Sequence, residues 1–166
     1  MRVILIIGAG RSASSLIQYL LDKSGKEDLH LIIGDLSMAL AQNKTNNHPN
    51  ATPIALDIFN DIQRTDAIQK ADIVISMLPA HLHIEVARDC VVYKRSLVTA
   101  SYVSKEMQEL DSAVKENNLV FMNEIGLDPG IDHMSAMKVI DEIRDKGGKM
   151  LLFESFCGGL VAPESD

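Results

Sequence analysis

One turn constrains this chain more than any other feature. The run Gly8-Ala9-Gly10-Arg11-Ser12-Ala13 follows an apolar stretch, Arg2–Ile7 (RVILII), and leads into a helical pattern over Ser12–Asp22. A G-x-G-x-x-A run in that strand-to-helix context is specific, whereas alone it carries little. Gly8 allows the tight turn. Gly10 lacks a Cβ, so a pyrophosphate can approach the backbone, and Ala13 lets the helix pack close to the strand. Exposed N–H groups at the helix start, from Arg11 and Ser12 onward, suit an anion there. A tight strand-to-helix turn with no ligand is the plainer reading of the same residues.

The rest of the chain repeats the scheme. His30–Gly34, Thr52–Leu56, Asp72–Ser76, Leu97–Ala100 and Leu119–Met122 read as five further strands. They are continuous apolar runs, as expected for strands covered on both faces. Between them lie helical patterns over Ser37–Asn43, Asp61–Gln69, Leu82–Val92 and Ser104–Asn117, the last capped by Ser104. Six strands in two βαβαβ halves predict a Rossmann-type α/β fold, a doubly wound parallel sheet of order 3-2-1-4-5-6. The predicted dinucleotide-binding domain spans residues 1–130. Residues 131–166 are predicted to hold a connecting helix, Asp132–Lys146, and a strand, Lys149–Phe156, that opens a truncated second α+β domain. Asp132 reads as the N-cap of that helix.

Composition narrows the partners. The 166 residues carry 16 Lys+Arg against 23 Asp+Glu, a net charge of −7, which argues against nucleic acid and against a polybasic membrane anchor. No apolar run approaches the ~20 residues needed to span a bilayer. Two cysteines, Cys90 and Cys157, make no disulfide framework, so a reducing cytoplasm is the expected compartment. Cys90 falls on an apolar helix face and reads as core. His81 and His83 form an H-x-H pair without a third ligand at a recognisable spacing, so no metal is expected and both read as loop or helix-start residues.

Asp35 lies 25 residues beyond Gly10, at the end of the second strand. A carboxylate there hydrogen-bonds ribose hydroxyls and repels a 2′-phosphate. No Lys or Arg adjoins it among Gly34, Leu36 and Ser37. NAD is therefore the expected cofactor, with NADP possible. Asp57, after the third strand, suits the adenine edge or is a solvated loop residue. Leu78, in the Ser76-Met77-Leu78-Pro79 run, lies across the switch point, where the nicotinamide end belongs.

Three runs carry a resemblance. Thr99-Ala100-Ser101-Tyr102-Val103-Ser104, Met122-Asn123-Glu124-Ile125-Gly126-Leu127-Asp128-Pro129-Gly130-Ile131-Asp132-His133 and Cys157-Gly158-Gly159-Leu160-Val161-Ala162-Pro163-Glu164-Ser165 resemble saccharopine dehydrogenase of the glutamate-forming type, or saccharopine reductase. With the glycine turn, the resemblance covers essentially the whole chain. It implies an oxidoreductase of lysine metabolism that interconverts saccharopine with 2-aminoadipate 6-semialdehyde plus glutamate, by hydride transfer at a C–N bond. It implies that Ser101, Tyr102 and Asp128 meet a small amino-acid substrate. Tyr102, Asp128 and Cys157 are then the candidate catalytic residues, although Cys157 also reads as a packing or substrate-wall residue. Ala100, Leu127 and Pro129 join the candidates for cofactor contact.

Family members run to more than twice this length, so the chain reads as the cofactor-binding part of one. It lacks the downstream arginine that grips a substrate carboxylate and is expected to be inactive alone. NADP-using members carry a Ser/Cys-Arg-Thr type run where this chain has Gly34-Asp35-Leu36, which again favours NAD. A lysine 6-dehydrogenase-like enzyme and a non-catalytic nucleotide-binding module are the alternatives. A homodimer through the C-terminal strand is a further expectation.

Overall fold

The computed structural model describes residues 1–156 and 158. Six strands form one sheet: β1 (Arg2–Ile7), β2 (Leu29–Asp35), β3 (Ala51–Ala55), β4 (Ile73–Ser76), β5 (Ser96–Thr99) and β6 (Phe121–Met122). Their order is β3-β2-β1-β4-β5-β6, and every neighbouring pair is parallel. The expected doubly wound fold is present.

Side chains alternate across a strand, so β1 feeds both faces of the sheet at once. Ile4 and Ile6 join one core with Ala13, Ile17 and Leu21 of the first helical segment, and with Leu31 and Ile33 of β2. Leu5 and Ile7 join the opposite core with Ile68, Val74, Val86, Cys90 and Leu97. Each such aliphatic side chain contributes roughly 1.5–3 kcal/mol through burial. That is why β1 is apolar throughout rather than alternating.

The helices are α1 (Ser14–Glu27), α2 (Met38–Thr45), α3 (Asp61–Gln69), α4 (His83–Val92), α5 (Lys105–Glu109), α6 (Asp111–Glu116) and α7 (Ile131–Asp145). Short 3-10 turns, Arg11–Ala13 and Ala80–Leu82, lead into α1 and α4. Ser37, Asn60 and Ser104 cap α2, α3 and α5 through their side-chain oxygens. Buried Arg64 of α3 pairs with Asp89 of α4 at 2.6 Å and with Asp61 at 3.0 Å, and it donates to the Ile58 carbonyl. This pair ties the two helices on one face of the sheet.

Three sequence expectations need correction. The single helix over Ser104–Asn117 is two, because the Leu110 N–H bonds the Met107 carbonyl at 3.2 Å, a tighter closure that interrupts the α-helix. The N-cap of α7 is Gly130, and Asp132 lies inside the first turn with its carboxylate accepting from the Gly130 N–H at 2.9 Å. The first N–H groups of α7, those of Ile131 and Asp132, bond the Gly126 and Leu127 carbonyls, each at 3.0 Å, in place of a capping side chain. Residues 149–156 form no strand, because no neighbouring strand meets their backbone among the described residues. Leu151, Leu152 and Phe156 stand exposed there. Cys157 lies outside the described residues.

Candidate functional site

The register of the sheet brings the candidate residues to one level. Ile7 sits opposite Gly34 on one side and Ser76 on the other, and Ser76 sits opposite Thr99. Asp35, the last residue of β2, and Gly8, Met77 and Ala100, just beyond β1, β4 and β5, thus share the carboxyl edge. The strand order reverses between β1 and β4, and open α/β sheets bind ligands in the crevice at that point.

Gly8 has φ +105, and a Cβ built on it meets the Met77 carbonyl oxygen at 3.0 Å, so the turn requires glycine there. Gly10 is different. Its φ is −66, ordinary for any residue, and a Cβ built on it meets nothing within 4 Å. Gly10 therefore keeps the space above the turn open rather than relieving backbone strain. Ala13 is fully buried beneath the turn. Arg11 and Ser12 are exposed at the start of the helical segment. The N–H groups of Gly10, Arg11 and Ser12 bond no protein acceptor among the described residues. An open surface floored by unbonded N–H groups fits a pyrophosphate.

The Asp35 carboxylate is held from two sides. One oxygen accepts from the Ala9 N–H at 2.8 Å, the other from the Ser37 N–H at 2.9 Å. Asp35 and the glycine turn are thus one unit. Beside them a cleft of about 190 Å³ is lined by Gly8, Asp35, Leu36, Asp57, Phe59 and Leu78, among others. The Asp57 carboxylate accepts from the Phe59 N–H at 2.9 Å, which turns the chain toward α3. Its size, apolar walls and two carboxylates fit the adenosine half of a dinucleotide.

Further along the same edge, the loop after β6 folds back on β5. The Glu124 N–H bonds the Ser101 carbonyl at 3.1 Å, and Gly126 lies so close to Ala100 that a Cβ would meet the Ala100 carbonyl oxygen at 2.9 Å. The loop then closes on itself, with the Gly126 N–H bonding the Pro129 carbonyl at 2.8 Å. Pro129 is buried and Leu127 exposed. This folding delivers Asp128 to Tyr102, whose hydroxyl donates to Asp128 Oδ1 at 2.7 Å. Both residues are exposed.

Asp128, Asp132 and His133 form the one cluster of three metal-type ligand groups found among the described residues, with donor atoms within 4.8 Å of one another. His133 Nδ1 lies 2.8 Å from Asp132 Oδ1. That contact raises the His133 pKa, with Asp128 and Glu124 adding to it. For Asp132, desolvation works upward, but the bonds from His133 and the Gly130 N–H outweigh it and lower the pKa.

One residue escaped the sequence reading. His83 does start a helix, as expected, but its ring is buried between two serines. Nδ1 lies 2.8 Å from Ser76 Oγ and Nε2 lies 2.9 Å from Ser101 Oγ. Burial lowers its pKa, and His81 lowers it further. An H-x-H pair gives no hint of serines 7 and 18 residues away. Cys90 is core, as expected, and burial pushes its thiol up to about 12, with Asp89 adding and Arg95 opposing.

This fold and edge define a dinucleotide-binding domain of the doubly wound type. The model of the saccharopine dehydrogenase NADP-binding domain matches residues 4–122, and that of the saccharopine dehydrogenase C-terminal domain matches residues 126–166. The chain belongs to the saccharopine dehydrogenase family. It is 39% identical over 162 residues to the NADP(+), L-glutamate-forming saccharopine dehydrogenase of Pyricularia oryzae, covering 98% of this chain and 35% of that protein. It is 34% identical over 177 residues to the alpha-aminoadipic semialdehyde synthase of Arabidopsis thaliana, covering 96% of this chain and 17% of that one. The solved apo saccharopine dehydrogenase (L-Glu forming) from Saccharomyces cerevisiae superposes with a TM-score of 0.77 at 32% identity, over 89% of this chain and 32% of its own. The chain thus spans about a third of the fungal relatives it matches. No helix among the described residues is long and apolar enough to cross a membrane.

Proposed function

We propose that this chain is the cofactor-binding part of a saccharopine dehydrogenase that interconverts saccharopine with 2-aminoadipate 6-semialdehyde and glutamate. The carrying observation is that one sheet edge presents both an open pyrophosphate cradle tied to Asp35 and the hydrogen-bonded pair Tyr102–Asp128. The activity for which the fungal relatives are named supports the reading.

When bound, the nicotinamide dinucleotide accepts or supplies the hydride. The protein's own residues do the rest. Gly10, Arg11 and Ser12 offer backbone N–H groups to the pyrophosphate. Asp35, already held by Ala9 and Ser37, offers its remaining lone pairs to the ribose hydroxyls. Asp57 and Leu78 wall the cleft, and Ala100, Leu127 and Pro129 are assigned to the nicotinamide end. Ser101, Tyr102 and Asp128 meet the amino-acid substrate. Forming or hydrolysing the C–N linkage needs a group that takes and returns a proton near nitrogen. The Asp128 carboxylate, hydrogen-bonded to the Tyr102 hydroxyl, performs that exchange.

A 2′-phosphate would meet the fixed negative charge of Asp35 with Leu36 and Ser37 as its neighbours. NAD is therefore the preferred cofactor, although the relatives' names specify NADP. The test is an assay of the full-length protein with saccharopine and lysine, each with NAD and NADP. Turnover of saccharopine with NAD supports the proposal. Turnover of lysine alone, or of neither, contradicts it.

A further inference from the structure

Ser76, His83 and Ser101 form a line of hydrogen bonds from the sheet interior to its carboxyl edge. Ser76 ends β4 and is completely buried. Its hydroxyl has one hydrogen-bond partner among the described residues, His83 Nδ1 at 2.8 Å. His83 is 4% exposed, and its other nitrogen contacts Ser101 Oγ at 2.9 Å. Ser101 is only partly covered.

The direction of these bonds follows from satisfying donors. A buried hydroxyl hydrogen with no acceptor is costly, whereas a spare lone pair on the same oxygen costs little. If Nδ1 carried the proton, it would donate to Ser76 Oγ, and the Ser76 hydrogen would have nowhere to go. The Ser76 hydroxyl therefore donates to Nδ1. The neutral ring then carries its proton on Nε2 and donates to Ser101 Oγ. Ser101 Oγ, already accepting, keeps its own hydrogen to donate elsewhere.

We infer that Ser76 and His83 are positioning residues that fix the Ser101 hydroxyl as a hydrogen-bond donor toward a carboxylate of the substrate. This rests on the function proposed above, because at neutral pH saccharopine offers ammonium groups as donors and carboxylates as its acceptors. A serine free to rotate would serve either. A serine that donated to His83 would have no hydrogen left for a carboxylate, whereas one that accepts from His83 keeps it.

The ring tautomer tests the donor line on this chain itself, without any turnover. Nitrogen-15 histidine spectra at neutral pH should show His83 as the Nε2–H form. The Nδ1–H form, or a protonated ring, overturns the inference whatever the enzyme does.

Substitution in the full-length enzyme tests the role. His83→Leu removes the donor to Ser101 and should raise the saccharopine KM roughly tenfold, the loss expected for one hydrogen bond to a charged group. The cofactor KM should stay unchanged. His83→Gln keeps an amide donor within reach of Ser101 and should recover most of the loss. Equal loss in both variants, or none in either, contradicts a positioning role. If His83→Leu does not fold, the tautomer and His83→Gln still decide. A wild-type enzyme inactive with saccharopine sinks the functional reading, and the tautomer still decides the donor line.

Discussion

The Tyr102 hydroxyl donates to Asp128 Oδ1 across 2.7 Å, joining two residues 26 positions apart in the chain. Gly126 makes this possible, because any side chain there would strike the Ala100 carbonyl and lift the loop away. Tyr102→Phe removes the bond, and Asp128→Asn removes the charge. In the full-length enzyme, Asp128→Asn should lower kcat about 100-fold, the low end for loss of an acid–base group. Tyr102→Phe should cost less. NAD affinity, measured by titration, should remain within about twofold in both. Equal loss of NAD affinity would move the pair to the cofactor.

The glycines at positions 8 and 10 should separate stability from binding. Gly8→Ala places a Cβ against the Met77 carbonyl at positive φ and should lower stability by about 1–3 kcal/mol. At Gly10 a Cβ meets nothing within 4 Å, so Gly10→Val should leave the melting curve nearly unchanged while abolishing dinucleotide binding. Thermal melts and cofactor titration of both variants check the contrast.

Asp89→Ala should destabilise the domain by about 2–3 kcal/mol, measured by urea unfolding. It strands the Arg64 guanidinium, which is nearly buried and keeps only exposed Asp61 as a charged partner. An effect below about 0.5 kcal/mol would mean that Arg64 is solvated.

Two histidines should respond oppositely to pH. His83 is lowered, so its contribution is present above the ordinary histidine pKa and is lost as pH falls through it. His133 is raised, so its contribution is full below the ordinary pKa and is lost as pH rises through the folded value. Ring-proton titration should place His83 below and His133 above the usual ~6.5. Asp132→Asn should bring His133 back toward it.

Much of the sheet could be read from the chain because strands covered on both faces must be apolar along their length, as in Arg2–Ile7. The glycine turn was equally plain, since its residues act through local backbone geometry. What the sequence concealed depends on contacts far apart in the chain. His83 gains its role from Ser76 and Ser101, and Asp132 looked like a cap because helix-capping rules weigh side chains, not a Gly130 backbone step. Residues 149–156 have strand character, but a strand exists only with a neighbour to bond.

The central claim is that a dinucleotide lies across the glycine turn with its adenosine ribose on Asp35. Calorimetric titration of this chain with NADH and NADPH, beside the Asp35→Ser/Leu36→Arg variant, tests it most directly. The account predicts tighter binding of NADH by the wild type and a shift toward NADPH in the variant. Preference for NADPH by the wild type, or a variant with unchanged preference, would contradict it.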